Sequence, residues 1–253
     1  MKLAKSWSFK HTEFSNYYYD ITDQNRKDLA FLISYLTRVP LAKVEYYFNE
    51  IETDQEVHKV LLNFHSEHPE LRDSTFYFAR RIGWYALTRI TKPSLVVETG
   101  VHHGMGGLVL CAALRKNIEE GSKGQYLGID INPSSGTMLT ESFMKFGHII
   151  TNNSLIELKK ISSKIDLFIN DSDHDTEYEA QEYALLNSRL SAKGIILGDN
   201  AHASGALRAF SEKTGRDFLF FQEVPKNHFY PGAGIGISFR SSEFHNHILR
   251  IME

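Results

Sequence analysis

A chain of 253 residues with 42% hydrophobic and 23% charged side chains has a normal globular composition, long enough for one large domain plus an appendage and a sizeable core. Its 28 Lys and Arg against 31 Asp and Glu leave a formal charge of −3, which lacks the electrostatic footprint of a general nucleic-acid binder. No apolar run approaches the ~18 residues of a membrane span, and Met1 to Ser6 lead into no apolar signal region.

The single cysteine, Cys111, allows no internal disulfide and lies in the apolar run Leu108 to Leu114, so it reads as a buried small residue. A cytoplasmic protein is expected, with neither nucleic acid nor membrane as partner.

Residues 1–90 read as a helical cap segment. Leu29, Leu32, Ile33 and Leu36 mark one helix face, and Val57, Val60, Leu61 and Phe64 mark another. Pro40 and Pro69 punctuate between helices. A third helix is expected from about Thr75 to Ile90, capped by Asp73 or Ser74. Tyr17, Tyr18, Tyr19, Tyr46, Tyr47, Phe48, Phe76, Tyr77 and Phe78 make the segment aromatic. Most should pack against the core, and a minority should enter a ligand pocket.

In residues 91–253 the rhythm changes to short apolar runs alternating with helical stretches. The runs end at Glu98, at Asp130, near Asn152 and Asn153, at Asp171 and at Asp199. This alternation implies βαβ units and a mostly parallel sheet, helices on both faces. The C-terminal runs 218–221 and 234–239 have no helix between them, which suggests an antiparallel pair at the sheet edge. In open α/β sheets ligands bind at the carboxyl ends of strands, so the five polar strand ends should converge on one site.

The turn Glu98-Thr99-Gly100-Val101-His102-His103-Gly104 is a cofactor cradle. Gly100 and Gly104 let the backbone approach a ligand, and the next helix N-terminus near Met105 to Gly107 suits an anion. No Lys and Ser or Thr follow Gly104 as a P-loop requires, and the G-x-G-x-x-G dinucleotide pattern is broken. Glu98 would repel a pyrophosphate.

Here the sequence resembles the class I S-adenosylmethionine-dependent methyltransferases. Val97 to Gly104 is similar to their first motif, and Gly128-Ile129-Asp130 to the second-strand acid that holds the ribose. Asn152-Asn153-Ser154 resembles the segment bordering the adenine. Residues 166–171 and 194–200 resemble the fourth- and fifth-strand motifs. The resemblance covers about residues 93–239. It implies a Rossmann-like, doubly wound, seven-stranded sheet with an antiparallel last strand, and S-adenosylmethionine held by Glu98, Gly100, Gly104, Asp130, Asn153 and Asp171.

Asp171-Ser172-Asp173-His174-Asp175 and Asp199-Asn200-Ala201-His202 add a second cluster. Two carboxylates and an amide oxygen suit Mg²⁺ or another divalent ion. Asp171, Asp199 and Asn200 resemble the metal site of the divalent-metal-dependent small-molecule O-methyltransferases. The chain departs from the catechol type at one place: where a catalytic Lys is common there, it has His174. An imidazole can accept a proton near neutral pH, so His174 is the candidate base, with His202 second. Alternatively, Asp173 or Asp175 caps the next helix, through Glu177 to Leu190, and Asp199 caps its own following segment. His65 and His68, near His58, read as surface residues.

The expected reaction is metal-assisted O-methylation of a small-molecule hydroxyl. A metal-independent O- or N-methyltransferase using His174, a nicotinamide dehydrogenase and a non-catalytic cofactor binder remain alternatives. The acceptor is unspecified; the helical segment and residues 222–233 should shape its pocket. Oligomeric state is open, a homo-oligomer included.

Overall fold

The computed structural model describes residues 18–69, 76–228 and 230–252. Three helices come first: α1 (Asp23–Thr37), α2 (Leu41–Glu52) and α3 (Gln55–Glu67). Thr22 caps α1 through Asn25 N–H, and Asp54 caps α3 through the N–H groups of Glu56 and Val57. Leu29, Ile33 and Leu36 are buried on α1, and Val57, Val60, Leu61 and Phe64 on α3, as the periodicity requires.

The fourth helix, α4 (Arg81–Thr91), starts later than the sequence suggests. The expected caps Asp73 and Ser74, and Thr75, lie outside the described residues. Phe76 to Phe78 are non-helical, and Tyr77 N–H bonds to Tyr18 O at 3.0 Å. Ala79 then takes φ +47, a left-handed conformation that no helix interior accepts. The consequence is functional: Arg80 and Arg81 stand at the helix start, where the dipole disfavours cations and carboxylates must compensate.

The sheet follows as β1 (Leu95–Thr99), β2 (Gln125–Asp130), β3 (Gly147–Thr151), β4 (Ile165–Asn170), β5 (Leu190–Asp199), β6 (Asp217–Gln222) and β7 (Gly234–Phe239). Its order is β3-β2-β1-β4-β5-β7-β6. The first five strands are parallel, and β7 runs antiparallel between β5 and β6. The expected α/β class and antiparallel C-terminal pair are present.

Helices α5 (Met105–Glu119), α6 (Glu141–Met144), α7 (Ser154–Lys160), α8 (Thr176–Leu186), α9 (Ala201–Ser204), α10 (Ala206–Thr214) and α11 (Ser241–Met252) complete the described elements. One core on the first face joins α1–α5 to the sheet through Ile33, Phe48, Trp84, Tyr85, Leu110, Tyr126 and Ile237. A second core lies under α8 and α10, around Phe168, Tyr183 and Leu207. Cys111 is fully buried, as expected. Buried Arg89 of α4 ties Glu50 of α2 at 2.6 Å and Glu120 at 2.5 Å. Among the described residues no helix is long and apolar enough to cross a membrane.

Candidate active site

Strand order reverses at β1 and β4, which opens a crevice at the strand ends. Two clefts lie there. The first, of about 500 Å³, includes Gly100, His102, Asp130, Asn152, Asn153, Asp171 and Tyr178 in its lining. The second, of about 370 Å³, is lined by Tyr19, Arg80, Arg81, Gly100, His102, Asp171, His174, Asp199, Asn200, Tyr230 and Ala233. Gly100, His102 and Asp171 form the wall between them.

That wall needs glycine. Gly100 has φ +83, and a Cβ there would lie 1.8 Å from the backbone oxygen of Asp171. Asp130 fastens the turn from the other side. Its Oδ2 accepts from Val101 N–H at 2.8 Å and His102 N–H at 2.9 Å, and its Oδ1 accepts from Asn132 N–H at 2.8 Å. A carboxylate has about four acceptor positions, so one remains for a ligand hydroxyl. Asn153 lines the first cleft but its side chain also caps α7 through Leu155 N–H at 2.9 Å.

Glu98, Gly104 and the helix start after it sit deeper than the sequence suggests. Glu98 is 1% exposed and lines neither cleft. It accepts a hydrogen bond from Tyr126 at 2.5 Å and packs on Gly106, where a Cβ would clash with Oε1. Burial pushes its carboxyl up to about 7. Gly104 heads α5 at φ +94 behind the wall, and Met105 to Gly107 are buried. The cleft-facing part of the turn is Gly100 and His102. His102 beside His103, whose Nδ1 is 2.7 Å from Tyr18 OH, belongs to a ring cluster with Phe64 and His68. His65 stacks edge-on to Phe76. His65 and His68 are therefore half-buried ring contacts rather than surface residues.

The second cleft is made of charges. Asp199, 3% exposed, meets Arg80 with Oδ1 2.6 Å from Nε. It does not cap the next segment, as one reading of the sequence had it. Glu223 holds Arg80 twice, through Arg80 N–H at 2.9 Å and Nη1 at 3.1 Å. Tyr19 OH donates to the same Glu223 carboxylate at 2.6 Å. Arg81 Nη2 is 4.0 Å from Asp171 Oδ2.

Burial and the neighbouring Asp199 push the Asp171 carboxyl well above the carboxylate range. Burial acts the same way on Asp199, but Arg80, Asp171, Arg81 and His174 together outweigh it and hold Asp199 below its ordinary value. The two neighbouring carboxyls are thus pushed in opposite directions. Burial opposes the Arg80 charge, and Asp199 and Glu223 overcome it, so Arg80 stays protonated.

His174 lies on the loop before α8, which Asp175 caps through the N–H groups of Glu177 and Tyr178. His174 Nδ1 faces Glu179 Oε1 at 3.5 Å, and Nε2 lies 3.0 Å from Asn200 Nδ2. With the amide as donor, Nε2 accepts, and the ring proton sits on Nδ1 towards Glu179. The Glu179 carboxylate beside Nδ1 raises the imidazole above its usual value despite partial burial. His202 stacks near Phe220 and lines neither cleft.

Among the described residues, Asp171, His174 and Asp199 form the one group of such side chains with metal-ligating atoms mutually within 4.8 Å. The site is nevertheless a poor fit for a resident Mg²⁺. Asp199 is already neutralised by a buried guanidinium and Asn200 turns its amide to His174, so a metal would have to displace both partners. The expected ligand trio is thus brought together, but committed to protein partners.

Sequence reasoning missed Arg80, Tyr19, Glu179 and Glu223. The reach of α4 and the C-terminal hairpin into the cleft is a tertiary fact with no local motif. Only Glu179, on the helix predicted after His174, stood close enough to be inferred.

Comparisons with known proteins agree with this architecture. Residues 97–201 match a family model described as a methyltransferase domain. The fold is similar to an O-methyltransferase from Bacillus cereus in complex with S-adenosylhomocysteine, at 14% identity over 82% of this chain and all of that one, TM-score 0.57. It is also similar to the O-methyltransferase TomG from Streptomyces achromogenes in complex with S-adenosylmethionine, at 15% identity over 74% and 90%, TM-score 0.56. A methyltransferase from Geobacter sulfurreducens aligns at 19% identity over 72% and 89%, TM-score 0.52. No curated protein matches in sequence. Residues 97–201 thus match a methyltransferase domain, and the chain has the Rossmann-like, seven-stranded methyltransferase fold.

Proposed function

We propose that the chain transfers a methyl group from S-adenosylmethionine to a hydroxyl oxygen of a small molecule, with His174 as base. One observation carries this reading. An imidazole oriented by Glu179 stands in the charged cleft, beside the Gly100–Asp171 wall that separates it from the first cleft.

The first cleft suits the cofactor. Gly100 lets the turn close against the Asp171 backbone at the cleft edge, Asp130 keeps acceptor capacity for ribose hydroxyls, and Asn153 borders the cleft. Glu98 acts from behind the turn, its charge favoured when a cation binds in front. Bound there, S-adenosylmethionine supplies a methyl group on a sulfonium that leaves readily.

The acceptor hydroxyl lies in the second cleft, where Tyr19, Tyr230 and Ala233 contribute surface and Arg80 and Arg81 contribute charge. His174 Nε2 exchanges the Asn200 amide for the acceptor hydroxyl and takes its proton as the oxygen bonds to the methyl carbon, and Glu179 stabilises the resulting imidazolium. Positioning and fixed charges supply most of the acceleration. No step passes through a metal.

The test is transfer of labelled methyl from S-adenosylmethionine to a panel of small hydroxyl compounds and matching amines, with excess chelator present. Transfer to hydroxyls with chelator present is expected. Transfer confined to amines, or abolished by chelator, would overturn the oxygen or the metal-independent part respectively.

A further inference from the structure

Arg80 is an expensive residue. It is 6% exposed, so its charge has left water, and an unpaired buried charge costs several kcal/mol. Three neighbours hold it in one place. Glu223, itself fully buried, takes both its backbone N–H and Nη1, and Tyr19 fixes the Glu223 carboxylate. Its Nε then meets Asp199 at 2.6 Å.

These contacts join four parts of the chain: Tyr19 before α1, the start of α4, the end of β5 and Glu223 just after β6. An arrangement that only satisfied Asp199 would not need Glu223 and Tyr19 behind the guanidinium. They keep Arg80 from swinging away, and so keep its charge on the cleft wall.

We propose that Arg80 is the resident cation of the acceptor cleft: it excludes a divalent metal from the Asp171–Asp199 pair and supplies the positive charge for the acceptor oxygen. Metal exclusion stands on this geometry alone; the acceptor role rests on the reading of the second cleft given above. A guanidinium delivers its charge as directed N–H donors, which match an oxyanion or an oxygen bearing partial negative charge. Nη1 donates to Glu223 and Nε forms an ion pair with Asp199 without hydrogen-bond alignment, and Arg80 still lines the cleft. A divalent ion placed there would meet this fixed charge, and Asp199 would have to exchange partners.

Titration of the full chain with Mn²⁺, followed by its paramagnetic resonance signal, tests the proposal. The wild type should bind no Mn²⁺ stoichiometrically. Arg80→Met should gain one site per chain, and Arg80→Met combined with Asp199→Asn should lose it again. Arg80→Gln keeps a donor for Glu223 and serves if Arg80→Met does not fold. Stoichiometric Mn²⁺ binding by the wild type that Asp199→Asn removes would overturn the proposal. So would a folded neutral Arg80 variant that gains no site. Titration of the same proteins with S-adenosylhomocysteine stays separate: its failure would count against the cofactor reading and leave the Mn²⁺ result standing.

Discussion

The two clefts share a wall but are built by different means. The first is made from consecutive strand ends and their turns, with Asp130 gathering backbone N–H groups and Asn153 capping a helix. The second is made from side chains that arrive from both ends of the chain: Tyr19 and Arg80 from the N-terminal layer, Glu223 and Tyr230 from the C-terminal hairpin. A cleft made of turns is fixed by local sequence. A cleft made of long charged side chains is fixed by packing and can be retuned without disturbing the sheet.

The largest expected effect strikes the wall itself. Gly100→Ala places a methyl group on the Asp171 backbone and forces a non-glycine residue to φ +83. Loss of S-adenosylhomocysteine binding and of turnover together is expected, read by calorimetry and methyl transfer. A variant that kept one cleft working would break the idea of a shared wall.

Next, His174→Ala should separate the clefts. Turnover should fall by about 10²- to 10⁴-fold while S-adenosylhomocysteine affinity stays unchanged. Equal damage to both would place His174 in the cofactor cleft.

Asp130→Asn does the converse. It loses charge-assisted bonds to the turn, so cofactor affinity should fall about tenfold to a hundredfold, the equivalent of ~1.5–3 kcal/mol. The pH dependence of turnover should stay where it was.

The smallest effect is a shift of pH profile. Glu179 raises the His174 value, and only the neutral ring accepts a proton, so activity should rise with pH along an acid limb above the ordinary imidazole value. Glu179→Gln should move that limb to lower pH. An unmoved limb would mean that Glu179 does not orient the base.

Legibility in the sequence follows the same division. The alternating runs and polar strand ends gave away the sheet and the first cleft, because strand, turn and helix signals are local. Asp171, Asp199, Asn200 and His174 were found because they follow adjacent strands. Their partners were not found. Arg80 looks like any charged residue near a helix, and Ala79 gives no hint of the left-handed turn that aims it. The metal expectation was drawn without sight of a cation that lies 91 residues upstream of the first carboxylate. Likewise Glu98 was legible as an acid at a strand end, but not as one turned inward by Tyr126.

The central claim is that the first cleft holds S-adenosylmethionine and not a dinucleotide. Calorimetric titration of the wild-type chain with S-adenosylhomocysteine, and separately with NAD, tests it most directly. The account predicts saturable binding of S-adenosylhomocysteine, weakened in Asp130→Asn, and no response to NAD. Tight binding of NAD with no response to S-adenosylhomocysteine would contradict it.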